Sequence, residues 1–399
     1  MIYLCNNCAY LRCCMRYDGK FINKKLKVKI MNRLLLSIIM SASFLAAAAQ
    51  VKVVDRSDGS AVPFASVITA DGRMLGMTDE QGLLPEEADT VAEFCVRHIC
   101  YETFTAGHSD RKRGLIELTP QVYDVGSVTV RNSPHEYLRM RSYRRYYSSD
   151  TKDSARIYTE SIVDYYIPLK KKPNKKNSFI KIRAARNYGI IKLAGRDSTY
   201  YNERPRRTSS EREMEEMFSD DILLINDKKY SKINRSATVD VLNGKHWPKA
   251  VYRRNADVTT FQCDQLADKK DHSYGFWGLK LLGITMEVSD AVVTEMYRTN
   301  SANSFGLPDM IGRSMTMTMT VGHKSIAKSY GSKYFSVKSN MEMYFTDMAY
   351  LSEAEARAEK EETLTGIKFE VPAHAPKPGV AIEKLKAEVM SHVRNGETK

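Results

Sequence analysis

The chain has 399 residues, with 61 Lys and Arg against 48 Asp and Glu, for a formal charge of +13. Much of that excess is local: removing the eight basic residues and one acid of residues 1–49 leaves 53 basic and 47 acidic side chains, or +6. A mildly basic remainder does not require a nucleic-acid partner, and the three cysteines left after residue 49 exclude a disulfide framework.

Residues 1–30 carry seven basic residues, one acid and four cysteines, Cys5, Cys8, Cys13 and Cys14. Four close thiols could be read as a zinc knuckle. The reading preferred here is a start-site artefact, with translation beginning at Met31, because a metal site ahead of an export signal would be removed with it. Residues 31–49, MNRLLLSIIMSASFLAAAA, have the parts of a signal peptide: Arg33, an apolar core from Leu34 to Leu45, and small residues at Ala47 and Ala49. Cleavage is expected between Ala49 and Gln50. The apolar core is shorter than the roughly 20 residues a spanning helix needs, so no mature transmembrane segment is expected. The absence of Cys beside the core argues against a lipoprotein.

From Val51 the chain reads VKVVDRSDGSAVPFASVITADGRMLGMTDEQGLL. The pattern predicts a short strand, a turn at SDGS, and a strand PFASVITA with Phe64, Ser66 and Ile68 on one face and Ala65, Val67 and Thr69 on the other. Asp71-Gly72 is a hairpin signal returning into RMLGMT. In TDEQG, Asp79 is placed to accept from backbone N–H groups and Gly82 to take the left-handed conformation. Further strands are expected at TVAEFCV, YETFTA, GLIELT and GSVTV, and short strands at about this spacing describe a small β-sandwich. Cys95 and Cys100 would face opposite ways on one straight strand.

These residues resemble the carboxypeptidase regulatory-like domain, a transthyretin-like sandwich that leads many exported Bacteroidota proteins. VKVVD, VPFASVITADG and GMTDEQGLL carry the likeness, with TVAEFCVRHICYETFT and IELTPQVYDVGSVTV as later pieces, although Cys100 stands where the family usually has Gly. The resemblance covers about residues 51–130 and implies a non-catalytic module. The residues themselves offer no peptidase: none of the eight His opens an HxxE or HExxH pattern. Cys95, His98 and Cys100 could be assembled as zinc ligands, but buried strand cysteines beside a chance His are the plainer reading, since no fourth ligand is evident.

A polar break at Asn132–Glu136 is the expected domain boundary. Beyond it, EYLRMRSYRRYYSSDTKDSARIYTESIVDYYIPLKKKPNKK mixes aromatic and basic residues, a pattern that nucleic-acid surfaces share. In an exported chain it reads as strands and a solvated loop at Lys170–Lys176, with glycan or anionic-lipid contact as the alternative. EREMEEMFSDDILLIND predicts a short helix with Met214, Met217 and Phe218 on one face. Residues 239–351 are strand-rich. A hairpin is expected with its turn at Ser289-Asp290, and Met315, Met317 and Met319 alternate with Thr316, Thr318 and Thr320, giving one apolar and one hydroxyl-lined face. The pattern predicts a curved antiparallel sheet with a face that needs cover. Its ending, EMYFTDMAYLSEAEARAEK, is similar to exported Bacteroidota proteins whose sheet is of half-barrel type, like lipoprotein carriers, which implies a concave surface for a lipid-like ligand. Ser352 and Glu355 form a capping box for a surface helix, PAHAPKPG reads as a stiff linker, and Ile382, Leu385 and Val389 mark a terminal helix.

The expected fold is thus mainly β: a transthyretin-like sandwich over 50–131, a larger antiparallel α+β domain of half-barrel type over 137–351, and a helical tail over 352–399. No GxSxG, Walker or GxGxxG motif appears, so no catalytic, metal or cofactor-binding residue and no cofactor is assigned. The expected function is a non-catalytic binding or scaffold protein of the periplasm or outer membrane. Its partner would be an envelope protein, glycan or lipid, with no nucleic acid and the oligomeric state left open. A carrier or sensor of a lipid-like ligand, and a hydrolase with residues gathered from distant strands, are the alternatives.

Overall fold

A computed structural model describes residues 50–121, 128–129, 135–152, 154–170, 177–193, 196–203, 223–235, 239–324, 331–362, 369–372 and 375–395. Residues 1–49, with the expected artefact, signal peptide and Ala49, lie outside them, as do Met214, Met217 and Phe218, most of the Lys170–Lys176 loop and residues 132–134 of the expected boundary. Residues from Val51 to Lys399 fall into one compact unit.

The first part holds β1 (Lys52–Asp55), β2 (Ser66–Thr69), β3 (Met74–Met77), β4 (Phe94–Arg97), β5 (Phe104–Ala106), helix α1 (His108–Arg113) and β6 (Leu115–Leu118). β1 and β6 pair in parallel, and the other strands form an antiparallel sheet in the order β3-β2-β4-β5. The two layers share a core in which Val53 and Ile116 meet Val67, Leu75, Phe94 and Val96. The Asp71-Gly72 hairpin forms as expected, with Gly72 at φ +95°. Asp79 Oδ1 accepts from the N–H groups of Gln81 and Leu83 at 2.9 and 2.8 Å, and Gly82 sits at φ +78°.

The second part is one large open sheet. Its strands are β7 (Val128–Thr129), β8 (Tyr137–Asp150), β9 (Ala155–Pro168), β10 (Phe179–Leu193), β11 (Arg196–Asn202), β12 (Val239–Asn243), β13 (Pro248–Arg254), β14 (Val258–Asp264), β15 (Tyr274–Gly275), β16 (Thr285–Arg298), β17 (Met310–Gly322) and β18 (Tyr334–Leu351). The main path runs β11-β10-β9-β8-β18-β17-β16-β14-β13-β12, antiparallel throughout, and its ends stay apart. Register shifts at Ile182/Ala184, Val288/Asp290, Met296/Tyr297 and Phe345/Asp347 are β-bulges, which bend and twist a strand. Helices α2 (Glu353–Glu361) and α3 (Val380–Arg394) follow. The capping box of α2 forms, with Ser352 N–H donating to Glu355 Oε2 at 2.8 Å and Ser352 Oγ accepting from Glu355 N–H.

Two expectations are corrected. Ser289-Asp290 is not a turn: β16 runs through it, and β17 pairs with it on both sides of the bulge there. A two-residue turn of the hairpin kind favours Gly, Asn or Asp at positive φ, and Ser289-Asp290 shows no positive φ. GSVTV does not close the sandwich: Val128 and Thr129 pair in parallel with Met348 and Ala349 of β18, in the large sheet.

The large sheet has two differently built faces. The first carries Met140, Val163, Tyr165, Tyr252, Phe261, Met341 and Met343 in one buried cluster. Residues 223–235, part of the connection from edge strand β11 to the opposite edge β12, cover it with Ile225, Tyr230 and Ile233. The second face carries Tyr143, Arg145, Tyr147, Tyr158 and Glu342, and the outer face of the small sheet docks on it. Ile68 and Met74 share a cluster with Tyr147 and Tyr158, completed by Ile382, Leu385 and Val389 of α3. The terminal helix therefore docks through the three residues that its sequence spacing marks. The Pro-rich stretch is held too, since Pro376 O accepts from Arg145 at 2.6 Å and Phe369 is buried.

Candidate functional site

The alternation of β2 supplies two faces, and both are buried. Val67 enters the sandwich core, while Ser66 and Ile68 turn to the large sheet, where Ser66 Oγ accepts from Asn340 Nδ2 at 3.0 Å. β4 is buried along its whole length, its terminal arginine included, so FCVR shows no alternation of buried and exposed residues. Its last residue, Arg97, meets Glu342 of β18, with contacts of 2.8 and 3.1 Å to the two carboxylate oxygens. Arg145 of β8 donates to the same Glu342 at 2.7 Å and to Tyr344 Oη at 2.8 Å. Burial raises the Glu342 pKa, Arg97 and Arg145 lower it, and the net direction is down. A buried carboxylate held by two guanidinium groups thus pins the sandwich to the sheet.

The seam continues toward β14. His98 is half-buried, its Nδ1 accepts from Cys100 N–H at 3.2 Å, and its Nε2 meets the Gln262 side-chain amide at 2.7 Å. Burial, with a contribution from Arg253, lowers its pKa to about 3, so the imidazole is neutral. Cys95, Cys100 and Cys263 are free thiols. Burial pushes Cys263 up to about 12 and raises Cys100 as well. β4 ends at Arg97, and Cys100 lies in a turn closed by Tyr101 N–H donating to His98 O. The two thiols therefore do not share one straight strand. No group of three or more His, Cys, Asp or Glu is placed to hold a metal among the described residues.

At one margin the seam opens into a cleft of about 320 Å³ between β3 and the β14-β16-β17 part of the sheet. His272 projects here, its Nε2 2.5 Å from Oδ2 of the buried Asp264, whose Oδ1 accepts from Leu266 N–H at 2.8 Å. The His272 ring meets Trp247 edge-on at 5.2 Å. Thr316 and Thr318 contribute hydroxyls from β17, while Asp79, Glu80, Glu87 and Asp290 bring carboxylates and Lys338 an ammonium group. Two of the three non-glycine residues at positive φ among those described, Phe64 at +58° and His272 at +48°, line this cleft. Such conformations cost on the order of 1–3 kcal/mol each and concentrate at functional sites. A wider groove of about 770 Å³ runs between β5 and α3 past Thr105, Lys377, Val380 and Lys384.

Of the residues singled out at the signal junction, Ala49 lies outside the described residues and Gln50 is exposed just ahead of β1. The sequence pattern points to none of Arg97, Arg145, Glu342, Asp264 or His272. Glu342 takes the regular alternate place between Met341 and Met343, so period-two patterning reads it as an ordinary solvent-facing residue.

No family model matches the chain, and no curated protein matches it. A search of solved structures finds a weak likeness to a structure titled "Lipid-protein interactions in lipovitellin", with 8% identity and a TM-score of 0.27. The match covers 56% of this chain and 26% of that one, so this chain spans about a quarter of the length of the structure it matches. No helix among the described residues is long and apolar enough to cross a membrane.

Proposed function

We propose that this chain is an exported, non-catalytic binding or scaffold protein of the cell envelope, led by a carboxypeptidase regulatory-like sandwich fixed on a larger sheet. The observation that carries this reading is the seam. The sandwich is not tethered beside the sheet but seated on it through Arg97, Glu342 and Arg145, with a cleft left at the margin. A two-part body with a recessed cleft that sets Trp247 and Phe64 beside carboxylates and hydroxyls suits recognition of an envelope protein or glycan. The first face of the sheet is filled by its own Met, Tyr and Phe side chains, which weighs against an acyl chain held there and places the carrier reading second. Export rests on the leader sequence, Met31 to Ala49.

The test is photo-crosslinking in living cells from a reporter at Trp247, beside native mass spectrometry of the protein taken from the periplasm. A discrete partner crosslinked from position 247 and lost when Asp290→Lys changes the facing wall of the cleft supports the reading. A co-purified lipid promotes the carrier. Cytoplasmic protein still starting at Met1 removes the export premise. The hydrolase reading gains one specific observation, the His272–Asp264 pair, in which a buried carboxylate orients an imidazole toward a cleft. Turnover of an envelope ester or amide that disappears in a folded His272→Gln variant would establish it.

A further inference from the structure

One end of the large sheet carries an apolar apex that neither the seam nor either core absorbs. The register sets Thr285 beside Gly322 and Gly322 beside Tyr334, so the start of β16, the end of β17 and the start of β18 lie together. The loop FWGLKLLGI, residues 276–284, leads into β16 at this end. It is closed on itself: Phe276 N–H donates to Met286 O at 2.9 Å and Ile284 N–H to Leu279 O at 3.1 Å, with Gly283 at φ +72°. That closure leaves Leu281 86% and Leu282 69% exposed, with Phe276 and Tyr274 also at the surface. Large apolar side chains exposed in consecutive positions mark an interaction site rather than chance exposure.

The surroundings select the occupant. Lys269, Lys270, Lys324 and Lys333 are exposed around this end, with Lys269 Nζ 5.4 Å from the Tyr274 ring centre. Asp271 and Glu287 are the exposed carboxylates there, and Asp268 is taken by Lys249 at 2.6 Å. The loop itself contains Lys280 and no acid. A second copy of this chain would bring like-charged collars together. An apolar, aromatic-flanked tip inside a lysine collar instead matches a bilayer with anionic headgroups, where the leucines enter the interface and the ammonium groups meet phosphates.

We infer that this end of the sheet docks the protein on the surface of an anionic phospholipid bilayer. The inference goes beyond the seam and its cleft, and it takes from the proposed function only the envelope location that decides which bilayer is met. The experiment uses protein purified from the cell envelope and co-sedimentation with vesicles of phosphatidylglycerol and phosphatidylethanolamine, set against phosphatidylcholine vesicles. Binding is expected on the anionic vesicles, weaker in high salt, and reduced at least about tenfold by the double change Leu281→Asp and Leu282→Asp. Both positions are exposed, so thermal unfolding of the variant should match the parent. Lys269→Gln with Lys333→Gln, which leaves the loop intact, should weaken binding to anionic vesicles only. Failure to sediment with anionic vesicles, or binding that the leucine change leaves untouched, overturns the inference, as does equal binding to phosphatidylcholine. Vesicle-free capture of an envelope protein through the same leucines also overturns it. None of these outcomes bears on the crosslink at Trp247, so the two readings fail separately.

Discussion

The two faces of the large sheet solve the same problem by different chemistry. The first is covered by part of the chain's own connection and packed with Met, Tyr and Phe. Its buried carboxylate Glu295 accepts from Leu224 and Ile225 N–H at 3.2 and 3.3 Å and from Tyr297 Oη at 2.5 Å. The second face is closed by the sandwich and held by ion pairs around Glu342. A face closed by its own connection can rely on non-directional burial. A face that receives another unit must also fix where that unit sits, and directional charge pairs do so.

The largest effect should come from breaking the second face. Glu342→Ala leaves Arg97 and Arg145 buried without their shared carboxylate, and removing one member of a buried pair costs about 3–5 kcal/mol. Urea unfolding should show the loss as a single transition if sandwich and sheet unfold together. Two separated transitions would show that the seam does not couple them. The matching change on the first face is Met343→Ala, which empties part of a core and takes a sulfur contact from Tyr165 Oη. A loss of about 2–5 kcal/mol is expected, with the spread set by how far Tyr165 and Phe345 relax. A loss below about 1 kcal/mol would show the first face to be loosely packed. Within the sandwich, Gly82→Ala meets both a positive φ and a Cβ position 2.5 Å from Val53 O. It should cost more than about 1 kcal/mol, read by the same titration, and a neutral result would mean the TDEQG turn can rearrange.

The same contrast explains what the sequence discloses. Strands such as SMTMTMTVG show period-two patterning, and turns such as DG and TDEQG carry their own chemistry, so most strands and the mainly β fold are legible. Ile382, Leu385 and Val389 announce the docking stripe of α3 by spacing alone. Arg97 and Glu342 are 245 positions apart, and nothing local in FCVR or MEMY names the other. Ser289-Asp290 misleads because the chemistry of a turn also suits a bulge, and only the neighbouring strands decide between them. GSVTV misleads because a two-residue strand is patterned for no particular sheet. The cleft shares this limit: Asp264 and His272 are close in sequence, but what makes them a site is β3 from the sandwich, seated above them.

The smallest expected effect is the one that separates the faces by sign. Burial raises the pKa of Glu295, and Arg313, Tyr297 and the Leu224 and Ile225 N–H groups only partly offset it. For Glu342 the two arginines outweigh burial and the net shift is down. A carboxyl with a lowered folded pKa contributes stability above its unfolded value, about 4.5, and loses it as pH falls through the folded value. A carboxyl with a raised folded pKa behaves oppositely: its contribution is fully present below the unfolded value and is lost as pH rises through the folded one. Glu295→Gln relieves one buried charge but takes the carboxylate from Arg313, 3.7 Å away, and at neutral pH these two effects oppose each other for a net change of about 1 kcal/mol. Measured by urea unfolding from neutral toward acid pH, the deficit of Glu295→Gln relative to the parent should grow as pH falls, while that of Glu342→Gln should shrink. Parallel profiles for the two variants would mean that the two faces hold their carboxylates in the same way, and the contrast between a face closed by burial and a face closed by charge would be lost.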